Sequence, residues 1–436
     1  MWHFEDLYFF KTIYSSFHSQ DSQILSRIFA AMPKQLIIIG GGAAGFFCAI
    51  NAAILDPSLN ILILEKQSKV LQKVKVSGGG RCNVTHACFM NSELTKKYPR
   101  GKNFLKKAFS AFSTRDTIEW FQLRGIELKT ESDGRMFPVS NTSQTIIDCL
   151  LNEAMKHRVG LSLNTEVESI EKKNELFHVR LKNKDVLTAD YLMVACGGFP
   201  KPEQYHWLQT LGHQIEWPVP SLFTFNTPHS SIKELMGLVA EHAIVKIEGS
   251  KLTEQGPVLI THWGLSGPAI LRLSAWGARE LNECGYKFTI VVNWLGIPES
   301  EVRLKWNELR NKQGSTQIGT KNLYGIPARL WEYLIGECQI PKETKWSELP
   351  SKEQNKLIHI LTTHVILVEG KTTFKEEFVT SGGIKLDEID ASTMESKLIK
   401  NLFFGGEIMD VDGITGGFNF QHAWTSGMLA ARKIAG

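Results

Sequence analysis

The chain has 436 residues, 43% hydrophobic and 22% charged, a balance that suits an ordinary globular protein of two or three domains. Its formal net charge of +4 permits contact with polyanions without requiring it, because charge bears on association and not on fold. The seven cysteines are odd in number, scattered and free of any C-x-x-C pair, which argues against a disulfide framework, a zinc ribbon or a dithiol relay and fits a reducing cytoplasm.

Residues 1–31 mix aromatics with Glu5, Asp6 and Asp21 and lack the basic start, apolar core and cleavage site of a signal peptide. They read as a leader, a loosely ordered arm ahead of a domain that begins near Met32. No run of about 18 apolar residues occurs, so no membrane span is expected, and no metal site is expected either.

From Gln35 to Glu65 the pattern is strand, glycine turn, helix, strand: Leu36 to Ile39, then Gly40 to Gly45, an alanine-rich stretch, and Ile61 to Leu64. Gly40-x-Gly42-x-x-Gly45 is the dinucleotide fingerprint. The first glycine permits the tight turn, the second lets a pyrophosphate approach the backbone, and the third allows close packing of helix on strand. N–H groups at the helix start then hold the phosphate. Glu65, 20 residues beyond Gly45, ends the second strand, where a carboxylate accepts ribose hydroxyl protons and repels a 2′-phosphate. The unit expects FAD or NAD, and not NADP.

Three glycines, Gly78 to Gly80, precede Arg81 and Cys82. The two side chains either face a cofactor that the glycine backbone touches closely, or serve as an ion-pair partner and a packed thiol. The run Lys96–Lys107 carries six positive charges and no acid. One reading is an amphipathic helix that buries Phe104, Leu105, Ala108, Phe109 and Phe112 beneath a solvated basic face. The other is a surface whose lysines meet phosphates while aromatics stack on bases.

Alternation over 162–187 and the buried run Ala189 to Ala195 predict strands. The stretch 212–371 leaves the βα pattern, with strand-rich flanks over 221–293 and helical spacing of Leu, Glu, Lys and Trp over 299–361. Within it His262 lies in a turn before Ser266-Gly267-Pro268, either as a surface residue or as a group that exchanges a proton near neutral pH. Asn401 to Glu407 is a short buried strand ending in glycines and a carboxylate suited to a ribitol hydroxyl. The helix from about Gln421 to Ala435 aims free N–H groups at the N1/O2 edge of a flavin. Taken alone, the same segment is a glycine cap before an amphipathic helix.

These runs, together with Val76-Ser77-Gly78-Gly79-Gly80-Arg81-Cys82-Asn83-Val84-Thr85, Thr261 to Ala269, Val379-Thr380-Ser381-Gly382-Gly383 and Gly406 to Gly427, resemble the HI0933-like, or YhiN/BaiN-like, family of NAD(P)/FAD-dependent oxidoreductases, which includes aminoacetone oxidases. The likeness spans about Lys34 to the C-terminus. One departure follows Cys196-Gly197-Gly198, where a small-residue turn gives way to Phe199-Pro200-Lys201-Pro202-Glu203-Gln204-Tyr205. The resemblance implies an FAD site drawn from Gly40, Gly42, Ala43, Ala44, Gly45, Glu65 and Lys66; from Ser77, Gly79, Gly80, Arg81 and Cys82; from Gly197, Ser381 and Gly382; and from Gly406, Glu407, Asp412, Gly417, Phe418, Asn419 and Phe420.

The fold expected is α/β: a discontinuous Rossmann-like FAD-binding domain of the two-dinucleotide-binding-domain flavoprotein type over 32–211 and 372–436. A β-barrel-like domain over 212–298 and 362–371 is inserted in it and carries a small helical domain over 299–361. The function expected is hydride transfer through flavin N5, with NADH or NADPH as a transient donor because a single fingerprint is visible. The resemblance offers three substrate classes: a uridine of ribosomal RNA reduced to dihydrouridine, a steroid-like enone, and a small amine such as aminoacetone. Ribosomal RNA leads because the basic aromatic run suits it. A non-catalytic flavoprotein that binds RNA is the rival from another class. Cys82 is the expected proton donor, Arg81 the group that holds substrate, and His262 the substitute acid.

Overall fold

The computed structural model describes residues 33–320, 322, 324–373 and 379–436, and the expected leader lies outside them. A parallel sheet sits at the centre, built from β1 (Gln35–Ile39), β2 (Asn60–Leu64), β3 (Gly160–Ser162), β4 (Tyr191–Val194) and β5 (Leu402–Phe404) in the order β5-β4-β1-β2-β3. Parallel strands are covered on both faces, which is why β1 and β4 read as continuous apolar runs. Register sets Ile39 beside Leu64 on one side and Val194 on the other, so the loops after these strands emerge together. Helix α1 (Ala43–Leu55) follows β1 directly and is buried along most of its length.

Between β2 and β3 lie α2 (Gln72–Gly80), whose helical geometry ends at Ser77 and gives way to a left-handed glycine turn, and α3 (Lys102–Ala111). Helix α3 buries Leu105, Ala108 and Phe109 and exposes Lys102, Lys106 and Lys107. Tyr98 lies in the core and Phe104 packs against it, so the two aromatics of the basic run are taken up by packing, and with Phe109 and Phe112 also buried the amphipathic reading of the run is the one that folds. Apolar burial outweighs base stacking here because each of these rings removes a large apolar area from water.

After β4 the chain leaves along the strand Ile215–Ser221 and returns along Val379–Ile384, and these two pair antiparallel. Between them two antiparallel sheets form, one of five strands and one of four. Helix α4 (Pro268–Trp276) and the helices Glu299–Gln313, Ala328–Glu337 and Ser351–Thr362 surround them. Trp306, Trp331 and Trp346 from the helical excursion are buried in the same apolar cluster as the strands, a cluster that runs from Phe223 to Val368 and is separate from that of the first domain.

Helix α5 (Phe418–Ala435) closes the first domain against α1. Gly427 makes this possible, since a Cβ there would stand 2.7 Å from the carbonyl oxygen of Ala44. Among the described residues no helix is long and apolar enough to cross a membrane, and no cluster of three or more His, Cys, Asp or Glu is arranged to hold a metal ion.

Candidate cofactor and active site

A cleft of about 660 Å³ opens at the carboxyl ends of β1, β2, β4 and β5, where parallel α/β sheets place their ligands. Its far wall comes from the insert and includes Leu222, Thr224, Ser266, Leu271 and Thr372.

The fingerprint glycines have two different jobs. Gly40 adopts φ +112°, and a Cβ there would lie 2.4 Å from Ala195 O; a Cβ on Gly45 would lie 2.1 Å from Gly40 O. Both are required by the protein's own packing. Gly42 is not: its φ is −93°, and a Cβ there meets only Ala195 O, at 3.9 Å. It borders the cleft with Gly40, Ala43 and Ala44, and caps α1 without a side-chain bond, leaving the first N–H groups of a 13-residue helix facing open space. Glu65 also lines the cleft and clips the turn, its two carboxylate oxygens accepting from Gly41 N–H and Gln67 N–H at 2.8 Å each. Each oxygen keeps a lone pair for a hydroxyl.

Ser77, Gly79, Gly197, Gly406 and Glu407 also line the cleft, as do Gly417, Asn419 and Phe420. Glu407 is held by Lys73 at 2.5 Å and by Thr380 N–H at 2.8 Å. Helix α5 is preceded by the cap residue Gly417, φ +91°, again without a side-chain cap bond, so a second helix N-terminus faces the cleft. Asn419 fixes the preceding loop, accepting from Gly413 N–H at 2.8 Å and donating to Gly413 O at 3.1 Å. The segment after the three glycines is tied to α5, because Trp424 Nε1 donates to Val84 O at 2.9 Å and Thr85 Oγ1 donates to Gln421 at 2.6 Å.

The structure holds the remaining sequence candidates off the cleft lining. Gly45 and Gly382 serve close backbone packing, and Phe418 stacks on His86. Gly80 lies in the left-handed turn at φ +83°. Lys66 reaches over the ring of Phe199, which packs edge-on against Tyr205, so the departure from the small-residue turn forms an aromatic pair beside β4. Ser381 is buried, and its hydroxyl has no partner among the described residues. Arg81 pairs with Glu131 at 2.5 Å and covers Phe137. Cys82 has φ +60° and no exposed surface, and burial pushes its thiol up to about 12. His262 is exposed at the tip of the Thr261–Gly264 turn, against Trp263. Asp412 is fully buried and paired with Arg100 and Ser221. The three expected catalytic groups are therefore not brought together in the cleft.

The lining includes residues that the sequence did not put forward as site candidates, among them Lys69, Lys73, Arg135, Cys196 and His422. His422 had a detectable signal, since it stands four residues after Phe418 and so shares a helix face with the start of α5. Burial lowers its pKa to about 4, and does the same to His364. An unfolded histidine takes its proton near 6.5 while these two refuse it until about 4. Their contribution to stability is thus complete above pH 6.5 and is lost as pH falls toward 4, by on the order of 3 kcal/mol for each. The urea midpoint is expected to drop across that window, and His422→Phe to flatten the drop.

FAD fits this cleft. Two uncapped helix N-termini face it, one suited to a pyrophosphate and one to a ring edge that gains negative charge on reduction. A nicotinamide ring, positive when oxidised, would be disfavoured by the second. Residues 34–433 match the family model described as HI0933-like protein Rossmann domain. The chain belongs to the HI0933-like family. It is an FAD-dependent oxidoreductase. Similar proteins include a ribosomal RNA dihydrouridine synthase of Escherichia coli (strain K12), 30% identical over 407 residues that cover 91% of this chain and 97% of that protein. A 3-dehydro-bile acid delta(4,6)-reductase of Clostridium scindens is 28% identical over 408 residues, 91% of this chain and 98% of that one. Among solved structures, 3-ketosteroid delta1-dehydrogenase from Sterolibacterium denitrificans superposes with a TM-score of 0.48 at 14% identity, covering 93% of this chain and 100% of that one.

Proposed function

We propose that this chain reduces a uridine of ribosomal RNA to dihydrouridine in the cytoplasm, with NADH or NADPH as the electron donor. The observation that carries this reading is near-full-length similarity to two relatives named ribosomal RNA dihydrouridine synthase, at 30% and 28% identity. The exposed lysines of α3 support it, as cations able to meet a phosphate backbone. When bound, FAD supplies hydride transfer at N5. The chain's own part is positional: α1 holds the pyrophosphate, the start of α5 stabilises charge at the ring edge, and Thr224, Ser266 and Leu271 wall the insert side. A second reading, reduction of a small enone, is favoured by the equal span and 28% identity of the bile acid reductase.

Modification mapping of ribosomal RNA decides between them. A strain lacking the chain is expected to keep an unreduced uridine where its parent carries dihydrouridine; identical maps would leave the enone reading. For the accompanying proton, Cys82→Ala is expected to lower stability by about 1–2 kcal/mol, as loss of a small buried side chain does, and to leave product yield unchanged. Cys196→Ala is the comparison, since that thiol borders the cleft. Loss of product in Cys82→Ala at unchanged stability would return the acid role to Cys82.

A further inference from the structure

His422 lines the cleft from α5 and is 2% exposed. Its Nε2 lies 3.2 Å from the carbonyl oxygen of Gly406. A carbonyl only accepts, so Nε2 carries the ring hydrogen, and a ring kept neutral has none on Nδ1. That Nδ1 is a lone-pair acceptor, fully buried, with no donor among the described residues. Leaving such an atom unsatisfied costs about 1–3 kcal/mol, so its place in a folded cleft points to a donor carried by the ligand.

FAD has few donors to give. Phosphate oxygens at neutral pH and the flavin carbonyls only accept, which leaves sugar hydroxyls, the ring N3–H and the adenine amine. Glu65, at the Gly41 end, already offers its carboxylate to the ribose there. His422 stands elsewhere. Its partner Gly406 lies against the phosphate turn, where a Cβ would come within 3.3 Å of the Ala44 Cβ, and His422 itself is one turn from the α5 start that faces the ring. This interval between phosphate turn and ring is the one a ribityl chain has to cross. The neighbouring carboxylate, Glu407, accepts from Lys73 and from Thr380 N–H and, like Glu65, keeps a lone pair on each oxygen, so it is a second acceptor along the same interval.

We propose that His422 Nδ1 accepts a hydrogen bond from a hydroxyl of the flavin ribityl chain and so makes His422 a selective FAD-binding residue. The inference rests on FAD occupying the cleft and is independent of the substrate. It is tested on the apoprotein by fluorescence titration with FAD and with its 2′-, 3′- and 4′-deoxyribityl forms. Wild type is expected to bind one deoxy form about tenfold more weakly than FAD, the value of one such bond. His422→Phe is expected to bind FAD about tenfold more weakly and to treat FAD and that deoxy form alike. His422→Asn, which sets an amide oxygen near the Nδ1 position while removing the donor to Gly406, is expected to recover most of the affinity; His422→Gln, which keeps a donor toward Gly406, is not. Equal affinity of wild type for FAD and all three deoxy forms overturns the proposal even where His422→Phe does not fold. Undiminished discrimination in a folded His422→Phe overturns it as well.

Discussion

Gly42→Val is expected to fold like the parent chain and to emerge from purification without FAD. The backbone at Gly42 has an ordinary negative φ, and a Cβ there meets no protein atom closer than 3.9 Å, so nothing in the chain itself forbids a side chain. What the side chain would fill is the space over the uncapped start of α1, where a pyrophosphate has to touch backbone N–H groups. Overpacking of a close contact by several carbon atoms costs about 3 kcal/mol, or some hundredfold in affinity. Gly45→Ala is the control with the opposite signature, because its Cβ would stand 2.1 Å from Gly40 O and the apoprotein itself should suffer. Thermal unfolding of the two apoproteins, beside flavin absorbance after purification, separates the effects. Full flavin occupancy in Gly42→Val would remove the cleft assignment.

The second large effect is expected at Arg100 and Asp412, which lie 312 positions apart and are buried together. Arg100 also donates to Ala275 O in α4 at 2.5 Å, and Ser221 Oγ donates to Asp412 at 2.8 Å. One guanidinium thus joins the C-terminal loop of the FAD domain to the strand leaving for the insert and to a helix within it. Burial pushes the Asp412 carboxyl above its ordinary value, while Arg100 and Ser221 pull it back. Removing one partner strands the other charge in a dry interface, so Asp412→Asn and Arg100→Met are each expected to lose about 3–5 kcal/mol. Replacing both at once leaves no unpaired charge and is expected to lose less than either single change. Urea unfolding followed by circular dichroism measures all three; singles within about 0.5 kcal/mol of wild type would show that the latch carries no load.

The sequence revealed what depends on neighbours in the chain. Leu36 to Ile39, the glycine turn and Ile61 to Leu64 form a local unit whose apolar runs follow from burial on both faces of a parallel sheet, and whose glycines follow from contacts within a few residues or with the adjacent strand end. Glu65 and Glu407 were legible for the same reason, as carboxylates at strand ends. Side-chain direction was not. Cys82 sits in a left-handed turn that points its thiol into the core, and nothing in the string Gly-Gly-Gly-Arg-Cys specifies that. The lysines of the basic run could be counted, but the partners of its aromatics are set by tertiary packing. His422 was missed because the helix was read from Gln421, whereas it starts at Phe418 and brings the imidazole round to the cleft. The Arg100–Asp412 pair joins segments that only the closed domain brings together.

The central claim is that FAD in this cleft is a working redox group and not a structural filler. Anaerobic mixing of the FAD-loaded protein with NADH or NADPH, followed by absorbance, tests it directly. Complete bleaching of the flavin band by one of the two donors is the predicted result. A flavin that stays oxidised with both donors, in protein that is folded and fully loaded, would contradict it.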